Sequence, residues 1–437
     1  MKKRTFNAFI LLLAGIVAPV ILTGQTPYVK QIITTNSGRF EYTPPYQDFV
    51  TFQSYNPVSG AVNMMGDILT QSSQDICIRG NTAYIAAQDS IIKINLNTGQ
   101  RMAAVADSGL SRLFLFGDKL VVSKQYEVYT FFAEALDTAD LSLVTSIAGL
   151  PGDCGNMVAA GDSLYLTVNG GWMGTEGKIA VISASDWTLA RLINFGPDAI
   201  GMLGIYRYNN LLVTINKSPY MSPDVGSIST YNLDDHTFTN TIINKNVGLG
   251  IGVDGHLLYF GLDYGIGSFN METLQVEDTV VIPDPGSALF KYIISGTVDS
   301  VNNLLYVNTG DYATPGLCQV STLSGDSVTS FATGISSDAI AVDYRLTPAG
   351  IENKAPETLS LKIYPDPVSD ILFISLPEKA DIRSVQVSDI SGRILISQDS
   401  GSHGKISSIP CRGLPSGMYY LIVETTVGKT VRPFVKQ

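Results

Sequence analysis

Along most of this chain, short runs of alternating apolar and polar residues end in polar turns. Ser90 to Gly99, SIIKINLNTG, is the clearest example: an apolar strand that runs into a glycine-ended turn. The same phrase returns at Tyr55–Ser59, Ile182–Asp186, Tyr231–Asp235, Phe269–Thr273 and Val320–Ser324. Each has an apolar residue, then Asn or Ser, then a Ser, Thr, Asp or Glu-Thr whose side-chain oxygen can close the turn. A second phrase, a polar turn leading into a strand, ends at Tyr84, Val121, Tyr165, Val213, Tyr259 and Tyr306. A spacing of about 40 to 50 residues with four short strands per unit predicts the blades of a β-propeller.

The first complete unit parses as Asp75–Arg79, Ala83–Gln88, Ser90–Asn95 and Arg101–Ala106. Later innermost strands are expected to begin near Arg112, Asn156, Met202, Leu249, Ile294 and Ala339. The last of these, Asp338–Tyr344, has no outer strands after it. Arg39–Tyr42, Phe49–Tyr55 and Ala61–Met64 are expected to complete its sheet from the other end of the chain, leaving no free edge. That makes seven blades, with six or eight as alternatives because the unit from Tyr126 to Ile147 is the most divergent. From Thr347 to Thr358 the run TPAGIENKAPET reads as a linker. Beyond it, alternating strands at Leu361–Tyr364, Ile371–Leu376, Ser384–Asp389, Arg393–Ser397, Met418–Thr425 and Lys429–Val435 suit a small immunoglobulin-like β-sandwich. The fold class is therefore all-β. The expected divisions are 1–24, 25–346, 347–358 and 359–437.

Composition agrees with many tight turns: 41 Gly and 21 Tyr in 437 residues, with only 15% charged. The start reads as a secretory signal peptide, with Lys2, Lys3 and Arg4 before the apolar run Ala8–Leu22 and cleavage expected near Gly24 or Gln25. The alternative is a membrane anchor, but the run falls short of the roughly 20 residues a span needs and contains Pro19. Removing this segment deletes three basic residues and no acidic one, so the remainder is more acidic than the formal −11 of the whole chain. Nucleic acid is set aside as a partner, because phosphate contacts need clustered Lys and Arg. Cys77, Cys154, Cys318 and Cys411 follow no C-x-x-C spacing and read as small buried hydrophobes, with a single disulfide as the alternative that export allows. His236, His256 and His403 are too scattered for histidine-based chemistry.

Four phrases near the C-terminus carry a specific resemblance. They are Tyr364-Pro365-Asp366-Pro367-Val368, Val387-Ser388-Asp389-Ile390-Ser391-Gly392-Arg393, Leu414-Pro415-Ser416-Gly417-Met418-Tyr419-Tyr420, and the ending Phe434-Val435-Lys436-Gln437. Together they resemble the type A C-terminal sorting domain of Bacteroidota type IX secretion cargo, with Asp366 standing where that family usually has Asn. The resemblance implies the type IX secretion machinery as partner, and a final location outside the cell or on its outer surface. More loosely, the repeats resemble YncE- and quinoprotein-like propellers. Some surface propellers of that kind capture corrinoids for an outer-membrane transporter.

Function is expected at the face carrying the blade-to-blade loops and the loops between second and third strands. Asp75, Asp107, Asp153, Asp198, Asp284 and Asp338 each precede an innermost strand. Converging carboxylates there would hold a cation such as Ca2+; the plainer reading is that each aspartate caps its own turn. Tyr126, Trp172, Tyr220, Tyr264 and Tyr312 fall between second and third strands. On Gly- and Pro-bearing loops they suit a flat or sugar-like ligand, whereas the plainer reading is packing against a neighbouring blade. Arg112 and Lys291 are expected beside them, and Lys124, Arg207 and Lys217 on the same face. No Ser-His-Asp constellation, G-x-S-x-G or phosphate loop appears. The expected function is a binder of a small molecule or glycan at one mouth. A hydrolase or lyase using mouth carboxylates is the alternative, and a protein-binding scaffold a second.

Overall fold

A computed structural model describes residues 25–126, 129–217, 225–347, 361–375, 381–389, 393–399, 408–425 and 428–437. The expected signal peptide, Tyr220 and Gly392 lie outside the described residues. The chain divides into two compact units between Thr347 and Pro348.

In the first unit the described strands form seven four-stranded antiparallel sheets. The first sheet runs outward through Asp75–Arg79, Thr82–Ala87, Ser90–Asn95 and Arg101–Ala106. The second to sixth repeat this meander, with innermost strands Leu110–Phe116, Cys154–Ala160, Met202–Tyr208, Val247–Asp254 and Tyr292–Asp299. The seventh has Ala339–Leu346 innermost, followed outward by Pro27–Asn36, Val50–Tyr55 and Val62–Ile68. Each innermost strand packs on the next, and Ala339–Leu346 packs on both Tyr292–Asp299 and Asp75–Arg79, so the ring is closed.

The strands form where the sequence alternates, and the turns form where Asn and Asp side chains replace strand pairing. In the turn after Ser90–Asn95, the Asn95 side chain accepts the Asn97 N–H at 2.9 Å. Asn270 takes the Glu272 and Thr273 N–H groups in the matching turn of the fifth sheet. These are the Asx turns that the repeated phrase predicts. Between adjacent sheets lie apolar layers built from both faces of the middle strands. Ile33 packs with Val50, Phe52, Ile76 and Ile85 toward the first sheet, while Ile32 packs with Tyr306, Cys318 and Phe331 toward the sixth. A strand buried on both faces reads as a continuous apolar run, not as a strict alternation.

This corrects one expectation. The second strand of the closing sheet is Pro27–Asn36 and not Arg39–Tyr42. It pairs Thr35 with Ala339 and Ile33 with Ala341 on one side, and Ile33 with Ser54 on the other. The strand ends before Gly38, whose φ of +79° is left-handed. Arg39 instead donates its N–H to the Asp48 carboxylate at 2.8 Å, so residues 37–49 form a long loop. Closure is sealed where Tyr55 stacks on Phe331 of the sixth sheet, with centroids 4.1 Å apart. Thr347 and Thr26 also bond each other: the Thr347 N–H donates to the Thr26 carbonyl, and the Thr26 N–H to Thr347 Oγ1, both at 2.9 Å. Other strand starts move by up to two residues from expectation, for example Leu110, Cys154 and Tyr292.

The second unit holds a three-stranded sheet, Lys362–Tyr364, Ile371–Ser375 and Ser408–Pro410. It also holds a four-stranded sheet ordered Ile394–Asp399, Ile382–Asp389, Gly417–Thr425 and Gly428–Lys436. Ser408–Pro410 is too short to show a period and was not expected. The two sheets share one core, with Leu361, Leu372 and Ile374 meeting Val385, Val387, Tyr419, Leu421 and Phe434. All four cysteines are free thiols, so the disulfide alternative is not realised; Cys154, Cys318 and Cys411 are buried as small hydrophobes.

Candidate functional site

On the face where the innermost strands begin, the fourth, fifth and sixth sheets frame an open pocket of about 440 Å³. Tyr264 and Tyr312 enter it from the two loops joining second to third strands, as expected. Tyr292, the first residue of the sixth innermost strand, joins them. The Tyr292 and Tyr312 rings stand 6.2 Å apart, tilted by 37°. Leu203, Leu249, Ile293 and Ile294 supply the apolar wall, and Lys217 and Asn246 the polar groups.

The floor is backbone. Gly248 and Gly261 face each other across the paired strands so closely that a Cβ on Gly261 would lie 2.9 Å from the Gly248 Cα. Both rim tyrosines occupy left-handed backbone, with φ of +66° at Tyr264 and +61° at Tyr312. That conformation costs a non-glycine residue roughly 1 kcal/mol or more. The turns hold it with side-chain caps. Asp311 accepts the Ala313 and Thr314 N–H groups and the Thr314 hydroxyl, which together bring its pKa down to about 2. Asp263 accepts the Asn246 N–H at 3.2 Å and pairs with Lys245.

Of the other expected residues that are described, Tyr126, Arg112, Lys124, Arg207 and Lys291 do not line this pocket. Tyr126 is exposed at φ +81° and donates its backbone N–H to Asp153 at 3.3 Å. Trp172 lies on the short turn Gly171–Met173, but its side chain, like all of Tyr220, is outside the described residues. Lys291 is exposed and neighbours Tyr292 without lining the cavity. Arg207 sits at the far end of its strand, its Nε donating to the Asn209 carbonyl. Arg112 donates Nη1 to the Gln74 carbonyl at 2.6 Å.

The six aspartates are not one cluster. Among the described residues no group of three or more His, Cys, Asp or Glu is arranged to hold a metal ion. Asp284 caps its own turn through the Ser287 hydroxyl and the Gly286 and Ser287 N–H groups, which lower its pKa. Asp75 binds the Ile76 and Leu113 N–H groups; burial raises its pKa, and the charge of Arg112 leads the opposing effects. Asp338 accepts from the Ser37 and Ser336 hydroxyls and is likewise raised by burial. Asp107 pairs with Lys124, which also bonds Glu134 at 3.1 Å, and burial pushes the Asp107 pKa up against that partner. The Asp153 carboxylate accepts the Tyr126 N–H and occupies the space that a Cβ on Gly171 would take. Asp198 is exposed on the turn Pro197–Ala199.

Sequence reasoning missed Tyr292, Asn246 and the glycine floor. The spacing of Gly248, Gly250 and Gly252 in one strand was the available signal, since glycine inside a strand marks close backbone approach. It also missed the loop 37–49, which presents Phe40 and Tyr42 edge-to-face at 5.2 Å and reaches the sixth sheet through Arg39 Nη2 to the Ala313 carbonyl.

In the C-terminal unit the sorting phrases are structural turns. Asp366 Oδ1 accepts the Val435 N–H at 2.8 Å. An asparagine carbonyl would do the same, which explains why Asp is tolerated there. Tyr364 and Phe373 stack around the Pro365–Pro367 corner. Arg393 and Asp389 bond through both backbone and side chain. Gly417 opens a strand, and Tyr419 donates its hydroxyl to the Pro415 carbonyl at 2.8 Å while stacking on Phe434.

Residues 362–437 match the family described as the secretion system C-terminal sorting domain. That match supports the chain as type IX secretion cargo bound for the cell surface or extracellular space. No curated protein matches the chain in sequence. Among solved structures, the chain is similar to the computationally designed Ika8 protein, at 12% identity and TM-score 0.43 over 83% of this chain and 96% of that one. Hydrazine synthase of Kuenenia stuttgartiensis is similar at 11% identity and TM-score 0.48, over 66% and 92%. The Cps50 (Swd1) β-propeller domain of Myceliophteria thermophila is similar at 10% identity and TM-score 0.46, over 59% and 86%. The ring itself is defined by its strand pairing.

Proposed function

We propose that this chain is an exported seven-bladed β-propeller that binds a small organic molecule or glycan at its mouth, carried outward by its C-terminal sorting domain. On this reading residues 25–346 are the propeller, 347–358 a linker and 359–437 the sorting unit, after removal of residues 1–24. One observation carries the binding role: two rim tyrosines, held in left-handed backbone by capped turns, meet a third over a glycine floor in a concave pocket. Strained residues persist where the surrounding structure holds them, and they gather at ligand sites. Mouth aromatics placed at a cost to the backbone favour binding over loop packing. Asp75, Asp107, Asp153, Asp284 and Asp338, each bonded to its own turn or a neighbour, favour the capping reading over a Ca2+ ring.

The test is a thermal-shift screen of the purified full chain against aromatic carboxylates, oligosaccharides and corrinoids, and against CaCl2 with and without chelator. A ligand that binds the native state raises the melting temperature. A rise that disappears in the Tyr264→Ala, Tyr312→Ala double variant supports the pocket. A rise with calcium alone, unaffected by that variant, overturns it, as does the absence of any shift.

A further inference from the structure

The mouth pocket is chemically unlike the molecule that carries it. The chain has 39 acidic and 28 basic residues, yet among the described residues no carboxylate lines the cavity. Among the described residues its one charged lining residue is Lys217. Two other lysines at this face are neutralised, Lys124 by Asp107 and Glu134 and Lys245 by Asp263, while exposed Lys291 does not line the cavity. Among the described residues Lys217 has no ion-pair partner, while its backbone is pinned by a 3.0 Å bond from its N–H to the Gly201 carbonyl. An unpaired ammonium beside an apolar cavity is a site for negative charge.

The carboxylates flanking the pocket do not cancel it. Asp263 is tied to Lys245 and the Asn246 N–H. Asp311 is folded into its own turn by three donors, and Asp338 is bonded to the Ser37 and Ser336 hydroxyls behind Tyr312. The rest of the lining sets the shape. Three tyrosine rings and four aliphatic side chains surround a floor of Gly248, Gly261 and Gly265, where no side chain intrudes. Such walls bind a flat or compact ring body by its faces. Among the described residues, the side chains of Lys217 and Asn246 are the hydrogen-bonding groups that line the pocket besides the phenols. An oligosaccharide would leave many hydroxyls without partners in such a cavity.

We infer that the pocket takes a small organic anion: a planar or ring-shaped body held between Tyr264, Tyr292 and Tyr312, with its carboxylate or phosphate on Lys217. This rests on the binding role proposed above and narrows its ligand class.

The experiment compares 2-naphthoate with its neutral isostere 2-naphthamide, and with maltotriose, by calorimetric titration of the full chain. The proteins are the wild type, Lys217→Gln, Lys217→Arg and Tyr312→Ala. The inference expects naphthoate to bind at least tenfold more tightly than naphthamide. Lys217→Gln should erase that preference while retaining weak naphthamide binding, and Lys217→Arg should restore it. Tyr312→Ala should weaken both aromatic ligands. Equal binding of acid and amide in the wild type, or a preference that survives Lys217→Gln, overturns the anion assignment and leaves the pocket standing. Binding of maltotriose in preference to both does the same. Failure of all three to bind, or binding indifferent to Tyr312→Ala, overturns the pocket reading as well.

Discussion

The mouth of the ring has two unlike sectors. Around the first and second sheets, charge is buried and internally satisfied: Lys124 is 7% exposed, bonds Asp107 and Glu134, and lies 5.7 Å from the centre of the Tyr129 ring. Across the fourth to sixth sheets, aromatic rings surround an open cavity whose lysine, Lys217, has no ion-pair partner among the described residues. Both sectors come from the same repeat at the same loop positions. The difference shows that this face is not equivalent around the ring. One sector spends its charges on holding loops together, and the other leaves a cation and three phenols free for solvent or ligand. Ion pairs built inward serve stability; a lone cation beside rings serves recognition.

Substitution of Lys124 tests the first sector most severely. Lys124→Met leaves Asp107 and Glu134 buried without their cation, and breaking a buried pair from one side costs about 3–5 kcal/mol. Urea denaturation of the full chain should show a loss of that order in the ring's transition, whereas Lys217→Gln should leave the midpoint in place. Equal effects of the two variants would erase the distinction between sectors.

Gly261→Ala probes the pocket floor. The new methyl meets the Gly248 Cα, a backbone atom that a side-chain rotation cannot relieve. A loss of about 1–3 kcal/mol in denaturation is expected, together with weaker ligand binding. Unchanged stability would mean that the two strands separate easily.

Tyr312→Gly should act in the opposite direction on stability. Glycine adopts φ near +61° without the Cβ penalty, so the melting point should hold or rise by the equivalent of up to about 1 kcal/mol while binding falls. A clear loss of stability would show that the ring packs as structure, which was the plainer reading of these aromatics.

The smallest effect lies in pH dependence, where two mouth aspartates should have opposite signs. Burial raises the folded pKa of Asp338, so its contribution is fully present below the unfolded value near 3.9 and is lost as pH rises through the folded value. Asp311 is held at about 2 by its turn, so its contribution is present above the unfolded value and lost as pH falls toward 2. Melting curves of Asp338→Asn and Asp311→Asn from pH 2 to 7 should therefore differ from the wild type in opposite senses. A shared sign would refute the assigned environments.

Much of the architecture was legible in the chain. Alternation marked the strands, and the Asn and Asp turns marked the repeat, because both signals are local: the side-chain period is two, and an Asx turn closes within three residues. Asp75–Arg79, Ser90–Asn95 and Arg101–Ala106 stand as expected. The C-terminal phrases were readable for the same reason, since Pro365 and Pro367 fix their own φ wherever they occur. Local signals misled where they competed. Arg39–Tyr42 alternates like a strand but follows a left-handed glycine, while Pro27–Asn36, buried on both faces, shows no alternation to find.

The candidate site divides in the same way. Sequence alone placed Tyr264 and Tyr312 on the mouth, because each lies at the same point of its repeat. Only the closed ring decided that these two meet Tyr292 and Lys217 while Tyr126 and Arg112 do not. It also decided that Asp75, Asp107, Asp153, Asp284 and Asp338 bond their own turns or neighbours, with no group of three acids among the described residues converging on one ion. A repeat fixes where along its own unit a side chain emerges. Which side chains share a cavity depends on the packing of one sheet on the next, and that is written in contacts between residues far apart in the chain.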